Sequence, residues 1–240
     1  MPFYMIGLII TVIYLKPDSV FENLEPVYPE LYSKWWYYNV IIGLWMSAFL
    51  MDIFIVRSWT LILYTAQSWA YLTLRHVLTA LSPFLDKNSI LLKVNEFLRL
   101  PSLVTATVTF TIWNFVIAPG IYFLFLDTAQ KRQSFLKFNF SFRVIQLHGC
   151  NIIFAVLNNV SVLPRRSFTT SDLWCTFLLG VIYNLFYFLV LDRLGIHLYP
   201  IFSPRSSKVF LSSTVTWLTY YGAYIAWDKA IDMKIFEIGA

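Results

Sequence analysis

The 240-residue sequence predicts an all-α fold: a polytopic transmembrane helix bundle of six or seven spans forming one integral membrane domain. Three observations lead there. The chain is 58% hydrophobic and only 13% charged, about half the charged share of an average soluble domain. Apolar runs close to the roughly 20 residues that cross the hydrocarbon of a bilayer recur along its length. Aromatic residues, 19% of the chain, gather at run ends, as in Trp35-Trp36-Tyr37-Tyr38, where their amphipathic rings suit the headgroup level. The net charge of +5 is spread over loops. It reads as lipid-facing and topogenic, not as a nucleic-acid footprint. The only two cysteines, Cys150 and Cys175, both lie in apolar runs. That argues against a disulfide framework or a metal cluster; the two read as buried thiols, and no cofactor or metal is expected.

In chain order, residues 1–15 are apolar but short of a full span, and Lys16-Pro17-Asp18 follows where a cleavable signal would carry small residues. This is a marginal or tilted first span. The loop to Lys34 is acidic and broken by Pro17, Pro26 and Pro29. Residues 35–56 form a clean second span, and the minimal turn Arg57-Ser58 returns the chain antiparallel into a third, 59–74. That span is polar: Thr60, Tyr64, Gln67 and Tyr71 recur at helical spacing on one face. Arg75 and His76 end it and are expected to snorkel to the opposite interface. A polar connection follows, with an amphipathic segment at 89–100. The fourth span, 102–126, is interrupted by Ala118-Pro119-Gly120, which a membrane helix tolerates when neighbours satisfy the freed carbonyls. A basic loop with Lys131, Arg132, Lys137 and Arg143 leads to the fifth span, 144–163. Asp172 is placed to cap the sixth, 173–191, and the seventh is 209–227. No internal or inverted repeat is evident. Lys and Arg divide almost evenly between the two sets of loops, so the positive-inside rule gives no orientation. Asn139-Phe140-Ser141, in the loop before the fifth span, is a glycosylation sequon.

His148, about one turn inside the fifth span, is the most telling residue. Ionisable groups inside a span are costly and face a protein interior or a wet cavity. The structural alternative is a neutral imidazole serving as polar helix–helix glue. Counting spans puts Thr60 and His148 at the same side of the membrane and at similar depth, with Asn151 on the His148 face. A threonine hydroxyl becomes nucleophilic when a base takes its proton, and a neutral imidazole is such a base. Asn151, Gln67 and Tyr64 are the neighbouring polar groups that could bind substrate or its developing oxyanion. A site near the interface suits a lipid ester whose tails enter from the bilayer.

Ser58-Trp59-Thr60 with Gln67, the His148 span, Tyr183, and Leu198-Tyr199-Pro200-Ile201-Phe202 together resemble the androgen-induced protein family. Its members are polytopic membrane threonine hydrolases of fatty acid esters of hydroxy fatty acids. His148-Gly149-Cys150-Asn151 with Asn158 is similar to its uncharacterised fungal and plant branch, and Asn158 stands where the family has an acidic residue. The resemblance spans residues 57–228. It implies Thr60 as nucleophile, His148 as base, a membrane lipid or lipid ester as the partner molecule, and residence in the endoplasmic reticulum membrane. Two other readings are a non-catalytic membrane protein of the same fold that binds lipid or a partner, and a transporter, for which only Pro119-Gly120 hints at a broken helix.

Overall fold

The structure is a computed structural model that describes residues 2–14, 16–17, 28–160, 167–196 and 209–233; among them every regular element is helical. Helix α1 is Pro2–Tyr14. Helix α2, Lys34–Arg57, starts at Ser33, whose hydroxyl accepts the Trp36 N–H at 3.2 Å. Arg57 leads directly into a 3-10 turn, Ser58–Ile62; Leu63 is extended, and α3 then runs Tyr64–Leu81. Helix α4, Ile90–Phe97, is capped by Ser89. Helix α5 begins as Arg99–Ile112 and continues through Trp113–Ile117, Ala118–Gly120 and Ile121–Phe125. Helix α6 is Ala129–Asn139, capped by Thr128. Helix α7 joins Phe142–Ile145, Gln146–Cys150 and Asn151–Val160 and is bent 59° from α6. Helix α8 is Thr170–Leu191, and α9 is Val209–Asp232.

Among the described residues, three helices are long and apolar enough to cross a membrane: Lys34–Val56, Ile90–Phe125 and Thr170–Leu191, with mean hydropathies of 2.0, 1.6 and 1.9. The α6–α7 pair makes a fourth if counted as one bent span. The other expected spans fall short for physical reasons. Helix α1 has 13 residues, α3 carries Gln67, Arg75 and His76, and α9 is rich in hydroxyl and tyrosine side chains. Of the three apolar windows, 28%, 17% and 33% is buried inside the protein, so most of each faces outward. Leu44, Ile55 and Phe125 are among the exposed apolar residues. A continuous apolar outer surface of this kind belongs in lipid.

Specific contacts fix the directions of the helices. The Trp36 indole donates to the Ala80 carbonyl at 2.9 Å, Tyr38 to the Phe154 carbonyl at 3.4 Å, and Arg143 bridges Asp52 at 3.0 Å. Helix α2 is therefore antiparallel to both α3 and α7, and α3 and α7 run parallel. Gly43 lets α2 approach α3: a Cβ there would lie 3.4 Å from the Val77 nitrogen. The core is built from α2, α3, α5, α7 and α9 around Met46, Trp69, Leu72, Leu100, Val104 and Ala155. Lipid tails are as apolar as these side chains, so close packing holds them together more than the hydrophobic effect does.

Local chemistry accounts for the departures from the expected elements. The third helix starts at Tyr64, later than the expected 59, because the 3-10 turn and extended Leu63 intervene. It carries Arg75 and His76 into the interior, where both are 0% exposed; they do not snorkel. Pro119 does not break α5. A proline ring clashes with the carbonyl four residues back, here that of Phe115, and the π turn Trp113–Ile117 widens the helix at that point. Thr169, not Asp172, is the N-cap of α8; Asp172 is its reciprocal partner in a capping box.

Candidate functional site

His148 sits in the π turn Gln146–Cys150 and is 8% exposed. Its ring stacks on Trp113, centroids 4.2 Å apart and planes 22° apart. Its carbonyl accepts the Asn114 side-chain N–H at 2.9 Å. Trp113 and Asn114 open the π turn of α5, so two wide turns, each one residue longer than an α turn, face one another across the site. Such turns are frequent at functional sites. The imidazole also lies beside the Thr109 main chain.

Deeper by one turn, the Asn151 amide donates to the Ser68 hydroxyl at 3.5 Å, and Ser68 donates to Thr105 at 3.1 Å. His148 Nδ1, Thr109 Oγ1 and Asn151 Oδ1 are all buried with no hydrogen-bond partner among the described residues. Buried polar side-chain atoms nearly always have one. The imidazole nitrogen and two side-chain oxygens, one on the adjoining stretch of α5 and one a turn further along α7, give groups that can hydrogen-bond a polar part of a ligand.

The expected site residues divide between two flanks of α3. Asn151 is brought to the His148 level. Thr60 is half-buried in the 3-10 turn, off the α3 face that holds Tyr64 and Tyr71, and no hydrogen bond joins it to His148. The Gln67 amide donates to the Leu61 carbonyl at 2.7 Å and so fastens that turn. The Tyr64 hydroxyl hydrogen-bonds that of Tyr220, and its ring meets Tyr183 edge-on at 5.4 Å. Tyr183 in turn donates to the Ile62 carbonyl at 3.1 Å. Tyr183 of α8 therefore touches the Thr60 turn, whereas α5 residues pack on His148.

A further threonine lies closer to the His148 register. Helices α3 and α7 run parallel and touch at Ser68 and Asn151. Stepping back three residues on each reaches Thr65 and His148. Thr65 is half-buried in the first turn of α3, and that helix packs on the π turn of His148.

At the opposite end of the bundle lies a second polar cluster that sequence reasoning missed. Arg75 donates to Asn158 Oδ1 and to the Asn95 carbonyl, the latter at 2.7 Å. His76 Nδ1 meets Asn39 Oδ1 at 2.8 Å, and Asn158 donates to the same oxygen at 2.7 Å. Asn95 and Thr79 are hydrogen-bonded at 3.1 Å. Glu96 and Arg99 are buried in the same region, with Arg99 over the Phe168 ring at 5.0 Å. The Tyr28 hydroxyl, from the loop before α2, donates to the Leu92 carbonyl at 3.2 Å. Burial, and then Glu96, holds its phenol above the ordinary tyrosine value. A readable signal existed: Arg99, Ser102, Thr105 and Thr109 form a buried polar stripe at helical spacing along α5.

No group of three or more His, Cys, Asp or Glu side chains among the described residues could hold a metal ion. His197, Arg165, Arg166 and Leu198-Tyr199-Pro200-Ile201-Phe202 lie outside the described residues. Compared with known proteins, the chain matches no family model, no curated protein and no solved structure.

Proposed function

We propose that the protein is a multi-pass membrane hydrolase of lipid esters, with His148 as general base and a threonine hydroxyl as nucleophile. The observation that carries the reading is the His148 imidazole itself. It is buried inside an apolar bundle, its plane set by Trp113, and its Nδ1 has no partner among the described residues. The buried His76 ring likewise leaves its Nε2 without a partner among the described residues; what distinguishes His148 is its place between two π turns, stacked on Trp113, with the Thr109 and Asn151 side-chain oxygens also unpartnered. The ester carbonyl would reach it from the lipid-facing side, and Asn151 and Thr109 would bind its polar atoms. The resemblance to the androgen-induced family supplies Thr60 as nucleophile. The α3–α7 register favours Thr65, which the same chemistry would serve equally. Six or seven crossings and an endoplasmic reticulum location belong to this reading too.

The test is ester turnover by the purified protein in nanodiscs. His148→Ala is expected to lose about 100-fold or more in kcat. Thr65→Ala and Thr60→Ala, assayed beside it, identify the nucleophile as the one whose loss abolishes turnover and labelling by a fluorophosphonate probe. Undiminished turnover in His148→Ala would remove the proposal.

The second reading is a non-catalytic lipid-binding protein of the same fold. It is favoured by the missing hydrogen bond between Thr60 and His148. The asparagine at 158 does not favour it: Asn158 lies ten residues beyond His148 on α7, about 15 Å along the axis. There its amide serves Arg75 and Asn39.

A further inference from the structure

We propose that Asn139 is a positioning residue: its side-chain carbonyl fixes the Trp113 indole, and through it the plane of the His148 ring. Asn139 is the last residue of α6, at the 59° bend into α7. Its neighbours Phe138, Phe140 and Phe142 are exposed, whereas Asn139 is half-buried. Its Oδ1 accepts the Trp113 indole N–H at 2.9 Å.

An indole has one donor, so this bond takes all of its hydrogen-bonding capacity. Stacking by itself is weakly directional and lets one ring slide over another. A hydrogen bond at the ring edge removes that freedom. The opposite face of the arrangement is already held, because Asn114 fastens the His148 main chain at 2.9 Å. Ring and backbone are thus gripped by consecutive residues, and Asn139 is the tie that anchors the first of them to the bend.

Asn139 also opens the sequon Asn139-Phe140-Ser141. A glycan would be attached at Nδ2, beside the oxygen that holds the indole. The role argued here belongs to the oxygen alone, which lets the two be separated by substitution.

The claim concerns ring geometry, and only its kinetic arm rests on the hydrolase reading. The chain has three histidines, so histidine-labelled protein in nanodiscs gives few ring signals, and the one lost in His148→Gln is that of His148. The indole face should displace its ring protons upfield. Asn139→Ala is expected to reduce that displacement by half or more. Asn139→Asp keeps an acceptor oxygen and should retain it, and Ser141→Ala removes the sequon without touching the amide and should also retain it. Asn139→Leu, of similar size but unable to accept, gives the same reading if the alanine variant does not fold. An unchanged His148 signal in Asn139→Ala or Asn139→Leu overturns the proposal, as does loss of the displacement in Ser141→Ala.

In ester turnover, Asn139→Ala should lower kcat about tenfold with KM within about twofold, the scale of one lost hydrogen bond; Asn139→Asp should restore it. If the wild-type protein hydrolyses no ester, the hydrolase reading fails while the resonance measurement still decides the role of Asn139.

Discussion

Arg75 shows how a single side chain can reverse its expected role. In sequence it follows an apolar run and precedes His76, the arrangement of a basic pair reaching for headgroups. In the fold it is wholly buried and tied to Asn158 and the Asn95 carbonyl. Arg75→Ala would leave those acceptors unmatched in an apolar surrounding. It is expected to cost about 3 kcal/mol or more in stability, read as a lower detergent-resistant melting temperature. A melting point within a degree of wild type would show that the network contributes little. His148 was legible from sequence because an ionisable residue inside an apolar run admits few explanations. Arg75 was not, because its meaning depends on where α3 begins, and that is set by the 3-10 turn and extended Leu63. Trp113 did not stand out, since a tryptophan in a membrane helix is ordinary, and Asn139 was marked only as a glycosylation sequon in what reads as a loop, with nothing to tie it to an indole.

Helix positions were largely readable from hydropathy, and their internal irregularities were not. Pro119 announced a disturbance in α5, but the sequence gives no sign that the response is a pair of π turns and not a break. Contacts between elements were similarly hidden. Helices α8 and α9 meet where Gly180 faces Trp217: a Cβ at Gly180 would lie 2.8 Å from the indole and 3.3 Å from the Tyr220 ring. The indole is stacked on Phe177 at 5.2 Å and cannot simply swing aside. Gly180→Ala is therefore expected to destabilise the protein by about 1–3 kcal/mol, despite the better helix propensity of alanine. Thermal unfolding in detergent checks it, and Gly222→Ala, which meets nothing within 4 Å, is the control that should be neutral or stabilising.

For the molecule as a whole, composition pointed to a membrane protein and the long apolar runs to helices, and the outward-facing apolar helices agree. The expected count of six or seven crossings is not reached among the described residues, because α3 and α9, both expected as spans, carry too many polar side chains to pass as membrane-crossing helices. If residues 90–125 cross the membrane, the loops on either side of them face opposite compartments. In a background with Cys150 and Cys175 replaced by alanine, Lys87→Cys and Gln130→Cys should react with an impermeant thiol reagent from opposite sides of sealed vesicles. Labelling of both from one side would contradict a crossing there.

All four wide turns of the protein's described helices, at Trp113–Ile117, Ile121–Phe125, Gln146–Cys150 and Tyr187–Leu191, lie in the half that holds His148. The other half is cross-tied by Arg75, Asn158, Asn39 and Asn95. The helices are consequently wound more widely at the His148 end than at the end tied by Arg75. A wide turn leaves a backbone carbonyl without its usual helical partner, so the end that holds the imidazole also has main-chain acceptors to offer, while the opposite end spends its polar groups on keeping the helices in register.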